Sequence, residues 1–232
     1  MAHPTASTKR QQKPAQARIG RPPRDLAAEV DDRILEAARR VFLENGYGGA
    51  SVGEIARLAR AGKTSVYARF PTKEALFAAV GARNAAHAAG RFETYTPEGG
   101  TTEERLVDLG VNILERLLVA DTIDFMRMSA AEARRFPELA KVGSRAREGG
   151  AKAVASVLRN EAQSKEAASF SAFAPERLAE TTNFFIDLVV ARLLMRALFG
   201  EDLILLRAQI REHVIRGVGF FLEACRPGSA KQ

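Results

Sequence analysis

Residues 51–70 read SVGEIARLARAGKTSVYARF, and the fold turns on how this stretch is divided. Ser51 followed three residues later by Glu54 is a capping box: the Ser51 hydroxyl oxygen accepts from the Glu54 amide while the Glu54 carboxylate reaches back. A helix through Ile55, Leu58 and Ala59 follows. Arg60 to Gly62 interrupts it, a second helix covers Lys63 to Phe70, and Pro71 stops that helix because it carries no amide hydrogen. Thr72 then caps the next one. Val66 and Phe70, four apart, turn inward with Ile55 and Ala59, which leaves Lys63, Thr64, Ser65, Tyr67 and Arg69 outside. Two short helices with a tight turn and a polar, basic outer face on the second form a helix-turn-helix suited to a DNA major groove. Lys and Tyr suit phosphate, whereas Thr, Ser and Arg also reach base edges.

Outward from this stretch the periodicity stays helical, with no alternating strand. Upstream, Asp25 caps a helix carrying Leu26, Val30, Ile34, Ala38, Val41 and Phe42 at spacings of three and four, and Asn45-Gly46 ends it. Downstream the expected helices lengthen: Lys73 to Phe92, Glu103 to Val119, Thr122 to Arg135, Glu138 to Gln163, Pro175 to Leu198 and Leu203 to Ala224. Gly143, Gly149 and Gly150 each weaken the fourth of these by roughly 1 kcal/mol relative to alanine, so a bend is expected there. The reading is all-α: a disordered basic arm at 1–24, a three-helix helix-turn-helix domain at 25–80, a larger helical domain at 81–226 for an effector and dimerisation, and a tail at 227–232.

The net charge of +7 is unevenly spread. Residues 1–24 hold six basic and no acidic side chains; residues 25–83 hold nine basic against eight acidic, and residues 84–232 hold twenty of each. A basic arm suits a polyanion through counterion release, or serves only as a solubilising tail. Cys225 stands alone, so neither an internal disulfide nor a zinc cluster is expected, and His3, His87 and His213 lie apart from one another. No metal and no cofactor are expected. The most apolar run, Phe184 to Phe199, is interrupted by Asp187, Arg192 and Arg196, and the amino terminus is polar, so a cytoplasmic protein without a membrane partner is expected. No nucleophile–base pair, carboxylate–histidine cluster or glycine-rich phosphate loop is present, which argues against an enzyme.

The residues Phe42-x-x-x-Gly46-Tyr47, Ser51-Val-x-x-Ile55-Ala56, Ala59 and Lys63-x-x-x-Tyr67-x-x-Phe70-x-x-Lys73-Glu74-x-Leu76-Phe77 closely resemble the TetR family of repressors. The resemblance covers about residues 30–80, and the segment AEARRFPEL at 131–139 resembles the effector domain of one branch. It implies that Lys63, Tyr67 and Lys73 hold the phosphate backbone, that Ser51 caps beside a phosphate, and that Thr64, Ser65 and Arg69 read bases. Two positions depart from the pattern: Arg60 replaces the usual turn glycine, and Gly62 the usual serine cap. Arg60 is therefore either right-handed or bears the modest cost of the left-handed conformation. Gly20-Arg21-Pro22 resembles the core of an AT-hook, so Arg21 and Arg24 either follow a narrow minor groove or attract phosphate without sequence preference.

The resemblance further implies a homodimer through the last two helices, with Phe184, Leu188, Phe199, Ile210, Val214, Val218 and Phe221 supplying both a core and an interface. Near a small-molecule effector it places Phe125, Met126, Met128, Phe184, Phe185 and Asp187, which are equally ordinary core or surface residues. The function expected is a repressor released from palindromic double-stranded operator DNA by a ligand; a transcriptional activator or a protein-interaction module is the alternative.

Overall fold

The structure, a computed structural model, describes residues 24–93, 95–164 and 170–226. The basic arm with Arg21 and the tail at 227–232 lie outside the described residues, as does the side chain of Arg24. The described residues form helices without a strand: α1 (Arg24–Gly49), α2 (Val52–Leu58), α3 (Lys63–Arg69), α4 (Lys73–Glu93), α5 (Thr102–Leu117), α6 (Ala120–Ala133), α7 (Pro137–Glu161), α8 (Leu178–Ile186), α9 (Arg192–Leu198) and α10 (Leu203–Cys225). A wide π turn, Asp187–Ala191, joins α8 to α9 without a break.

Helix ends follow local chemistry. Within α1 the backbone leaves helical geometry at Gly46 (φ 68°, ψ 170°), a combination that glycine adopts without a Cβ penalty. Thr101 and Glu104 build a reciprocal capping box at the start of α5, a signal present in the sequence as Thr-x-x-Glu. Asp202 caps α10 by accepting from the amides of Ile204 and Leu205. Gly143, Gly149 and Gly150, where a bend was expected, do not interrupt α7, which runs unbroken from Pro137 to Glu161.

Two apolar cores result. The first gathers Ile34, Val41, Phe42, Ile55, Val66 and Phe77 from α1 to α4, and Phe125 from α6 joins it. Phe77 stands edge-on to Phe42 at 4.8 Å between centroids and stacks on Phe125 at 4.7 Å. The second core draws Leu109, Leu158, Phe185, Val189, Val214 and Phe221 from α5, α7, the α8–α9 segment and α10. Here α5 approaches so closely that a Cβ at Gly110 would lie 2.7 Å from methyl carbons of both Val189 and Val214.

Helix α6 belongs to both cores, since Ile123 enters the second and Phe125 the first. Polar ties reinforce the bridge. Arg39 of α1 pairs with Asp121 at 2.8 Å, and Arg127 donates to the Ala197 and Leu198 carbonyls at the end of α9.

Candidate nucleic-acid interface

The α2–α3 unit has the inward face read from the sequence, while Ser65 and Arg69, expected on the outer face, are half-buried. Val52, Ile55, Ala56, Ala59 and Val66 are buried, Phe70 packs against the same core, and Lys63, Thr64, Tyr67 and Ala68 are exposed. Pro71 holds Phe70 in an extended conformation (φ −127°, ψ 91°), which ends α3. Thr64 and Ala68, four apart, share one outer face, and Lys63 and Tyr67 share its neighbour.

The turn is a Schellman motif. The Ala61 amide donates to the Ala56 carbonyl at 2.9 Å and the Arg60 amide to the Arg57 carbonyl at 3.2 Å, while Arg60 takes φ 51°. Arg60 is thus left-handed, at the position glycine ordinarily fills. Ser51 caps α2, although its hydroxyl oxygen accepts from Gly53 at 3.2 Å rather than from Glu54. The Glu54 carboxylate instead accepts from Asn45 Nδ2 at 3.3 Å, so the expected reciprocal box is replaced by a tie from α2 to the end of α1.

Three basic or polar side chains expected at DNA are engaged within the protein. Lys73 Nζ donates to the carbonyls of Tyr47, Gly48 and Ala50 at 2.8, 3.4 and 3.3 Å and lies 4.7 Å from the Tyr47 ring centroid. It closes the end of α1 after the Gly46 break. Arg69 donates from Nε to Asp31 on α1 at 2.5 Å and from Nη1 to the carbonyl and hydroxyl oxygens of Ser65 at 3.2 and 2.8 Å. Asp31 was not legible as its partner, because 38 residues separate the two and no periodicity links them. Beneath α4, Tyr47 donates to Glu74 at 2.8 Å. Burial, then this bond, pushes the Tyr47 phenol up; the Glu74 carboxyl is lowered by its own amide first and then by Tyr47.

The six side chains expected near an effector are not brought together. Phe125 lies in the first core with Met128 packed against that core, Phe185 lies in the second core edge-on to Phe221, and Phe184 and Asp187 are exposed on the outer face of α8 and the π turn. Met126 is half-buried on α6. The reason is rotational: adjacent residues such as Phe184 and Phe185 point about 100° apart on a helix.

Residues 34–80 match the domain described as bacterial regulatory proteins, tetR family, and residues 104–227 match the AefR-like transcriptional repressor, C-terminal domain. The second match alone spans more than half of the chain. The chain belongs to the TetR family of transcriptional regulators. Among solved structures, the Flavonoid-responsive Regulator FrrA is 31% identical, with 87% of this chain and 99% of that one covered and a TM-score of 0.66. A TetR-family regulator of Mesorhizobium loti shares the fold at a TM-score of 0.71 and 24% identity, covering 85% of this chain and 97% of that one. The transcriptional regulator QacR of Staphylococcus aureus is 42% identical over 48 residues, 21% of this chain, and the match spans only 26% of QacR. No helix among the described residues is long and apolar enough to cross a membrane.

Proposed function

We propose that this TetR-family regulator is a repressor that binds palindromic operator DNA as a homodimer and leaves it when a small molecule occupies the helical domain. The observation that carries the reading is the exposed face of Lys63, Thr64, Tyr67 and Ala68 on a helix otherwise anchored through Val66 and Phe70. Lys63 and Tyr67 contact phosphate, and Thr64 reaches base edges, with Ser51 placed beside the backbone.

Dimerisation is supported by the outer side of the last helices. Phe184, Leu188, Met195 and Phe199 (84% exposed) stand out on the α8–α9 segment, and Ile204, Leu205, Ile215 and Phe220 (73% exposed) on α10. Ile210, Val214, Val218 and Phe221 face the protomer's own core instead. An apolar surface of this kind marks an association site. Across a two-fold axis it pairs with itself, setting two α3 helices about 34 Å apart for successive major grooves.

An effector acts through α6, whose Phe125 and Asp121 hold the first core while Ile123 and Arg127 hold the second assembly. A ligand favouring a rotated α6 separates the paired α3 helices, and its differential affinity for the two states sets the extent of release. Because FrrA is named as flavonoid-responsive, flavonoids are the first ligands to screen. The test is fluorescence anisotropy on the DNA upstream of the chain's own gene. Salt-sensitive binding with preference over a mixed-sequence duplex is expected, with loss on Tyr67→Ala and on the interface variant Phe220→Glu. Equal affinity for both duplexes sinks the reading.

A further inference from the structure

Arginine reads guanine through two parallel N–H groups. In Arg69 the Nε–Nη2 edge is engaged at Nε by Asp31, and the Nη1–Nη2 edge is engaged at Nη1, where both Ser65 oxygens accept. Neither edge is left for a bidentate contact with a base. We propose that Asp31 is a specificity-determining residue of the DNA interface: its carboxylate takes the place of phosphate on Arg69 and so withholds one cation per protomer from DNA. The inference rests on α3 being the helix that enters the groove.

Charge pairing across the whole unit supports it. Of the nine basic residues between 25 and 83, Arg39, Arg40, Arg69 and Arg83 each have a carboxylate partner, and Lys73 is spent on carbonyls. Within this unit that leaves Arg33, Arg57, Arg60 and Lys63, so freeing Arg69 adds one cation to four. The latch is also weak enough to matter. Asp31 and Arg69 keep 45% and 26% of their side-chain exposure, and an ion pair so hydrated adds little to stability, so the carboxylate can be removed with the fold intact. Asp31 therefore tunes discrimination instead of abolishing binding. Held back by it, Arg69 braces α3 on α1, and sequence is read by the short side chains of Thr64 and Ala68, whose methyl groups suit the thymine methyl.

The test compares the full-length protein with Asp31→Asn, Arg69→Gln and the double variant, by anisotropy on the gene's upstream DNA and on a mixed-sequence duplex of about 40 base pairs. Expected for Asp31→Asn is binding to the mixed duplex about tenfold tighter near 0.1 M salt, with a log–log salt slope steeper by about 0.9 per protomer. Its preference for the upstream DNA falls by a similar factor. Arg69→Gln keeps the wild-type slope, and in its background Asp31→Asn changes nothing, because the effect runs through the guanidinium. Unchanged or weaker mixed-duplex binding by Asp31→Asn overturns the proposal. So does an equal gain in the Arg69→Gln background, which would make Asp31 a repelling charge alone. Asp31→Ser repeats the comparison without the amide, and circular dichroism melting confirms that each variant is folded. Failure of the underlying reading looks different: the wild type itself then shows no preference between the two duplexes.

Discussion

The first core closes over a contiguous stretch, residues 34–80, and borrows Phe125 from α6, whereas the second assembles from positions as far apart as Leu106 and Cys225. The first is held by a ring cluster, Phe42, Tyr47, Phe77 and Phe125, at centroid distances of 4.7 to 6.0 Å. The second has rings too, Phe173 and Phe185 about Phe221, but adds close helix approach, with glycine at Gly110 where α5 meets Val189 and Val214. A ring removed from a cluster leaves a cavity, while a methyl added at a close helix approach forces its neighbours apart. The difference teaches that the first unit is vulnerable to lost aromatic volume and the second to added volume where α5 packs.

Four measurements break or sharpen that contrast. Phe125→Ala is expected to cost about 3–5 kcal/mol and to speed amide exchange in α1 and α4 well before α5 and α10. Equal acceleration in both sets would erase the distinction between cores. Gly110→Ala, which drives a methyl into Val189 and Val214, should cost about 1–3 kcal/mol by denaturant titration, with the loss confined to the second core. Arg60→Gly relieves a left-handed arginine in the first unit and should raise stability by about 0.5–1 kcal/mol; a lower midpoint would mean that the side chain stabilises the turn.

The smallest effect concerns pH. His213 meets the Val189 carbonyl at 3.1 Å, and burial lowers its pKa, with Arg192, Arg216 and Arg196 adding to the shift. Because the folded value lies below the unfolded one, the unfolded chain takes up the proton first. Stability is then complete above the ordinary imidazole range near about 6.5 and declines as the pH falls through the lower folded value. Melting curves across this window should flatten in His213→Gln.

Much of the first unit was legible because its signals are local. Gly46, Ser51, Pro71 and the three-and-four spacing of Ile34, Ala38 and Phe42 each act within one or two turns of helix. What escaped were the links across helices: Asp31 to Arg69, Asn45 to Glu54, and Lys73 back to the end of α1. Sequence spacing identifies Lys73 as a cation near the motif but not whether carbonyls or phosphate receive it. In the second unit, spacing showed that the last helices are apolar on several sides, yet it could not assign Phe184 outward and Phe185 inward. That choice depends on the rotation of a helix carrying a π turn, which is fixed by neighbours more than twenty residues away. The effector candidates scatter for the same reason, since α6 presents Ile123 to one core and Phe125, two residues on, to the other.

That straddling helix has a consequence for modular exchange between regulators. A graft joining this reading head to a foreign sensor just after Val80 would remove Phe125 from the stack on Phe77, and Phe136 from its place 5.4 Å from the Tyr47 ring. The transplanted head would carry a hole where its last aromatic layer belongs. A working hybrid must bring α6 along, or supply from the new sensor an aromatic side chain at the same height; the portable unit is discontinuous in the chain.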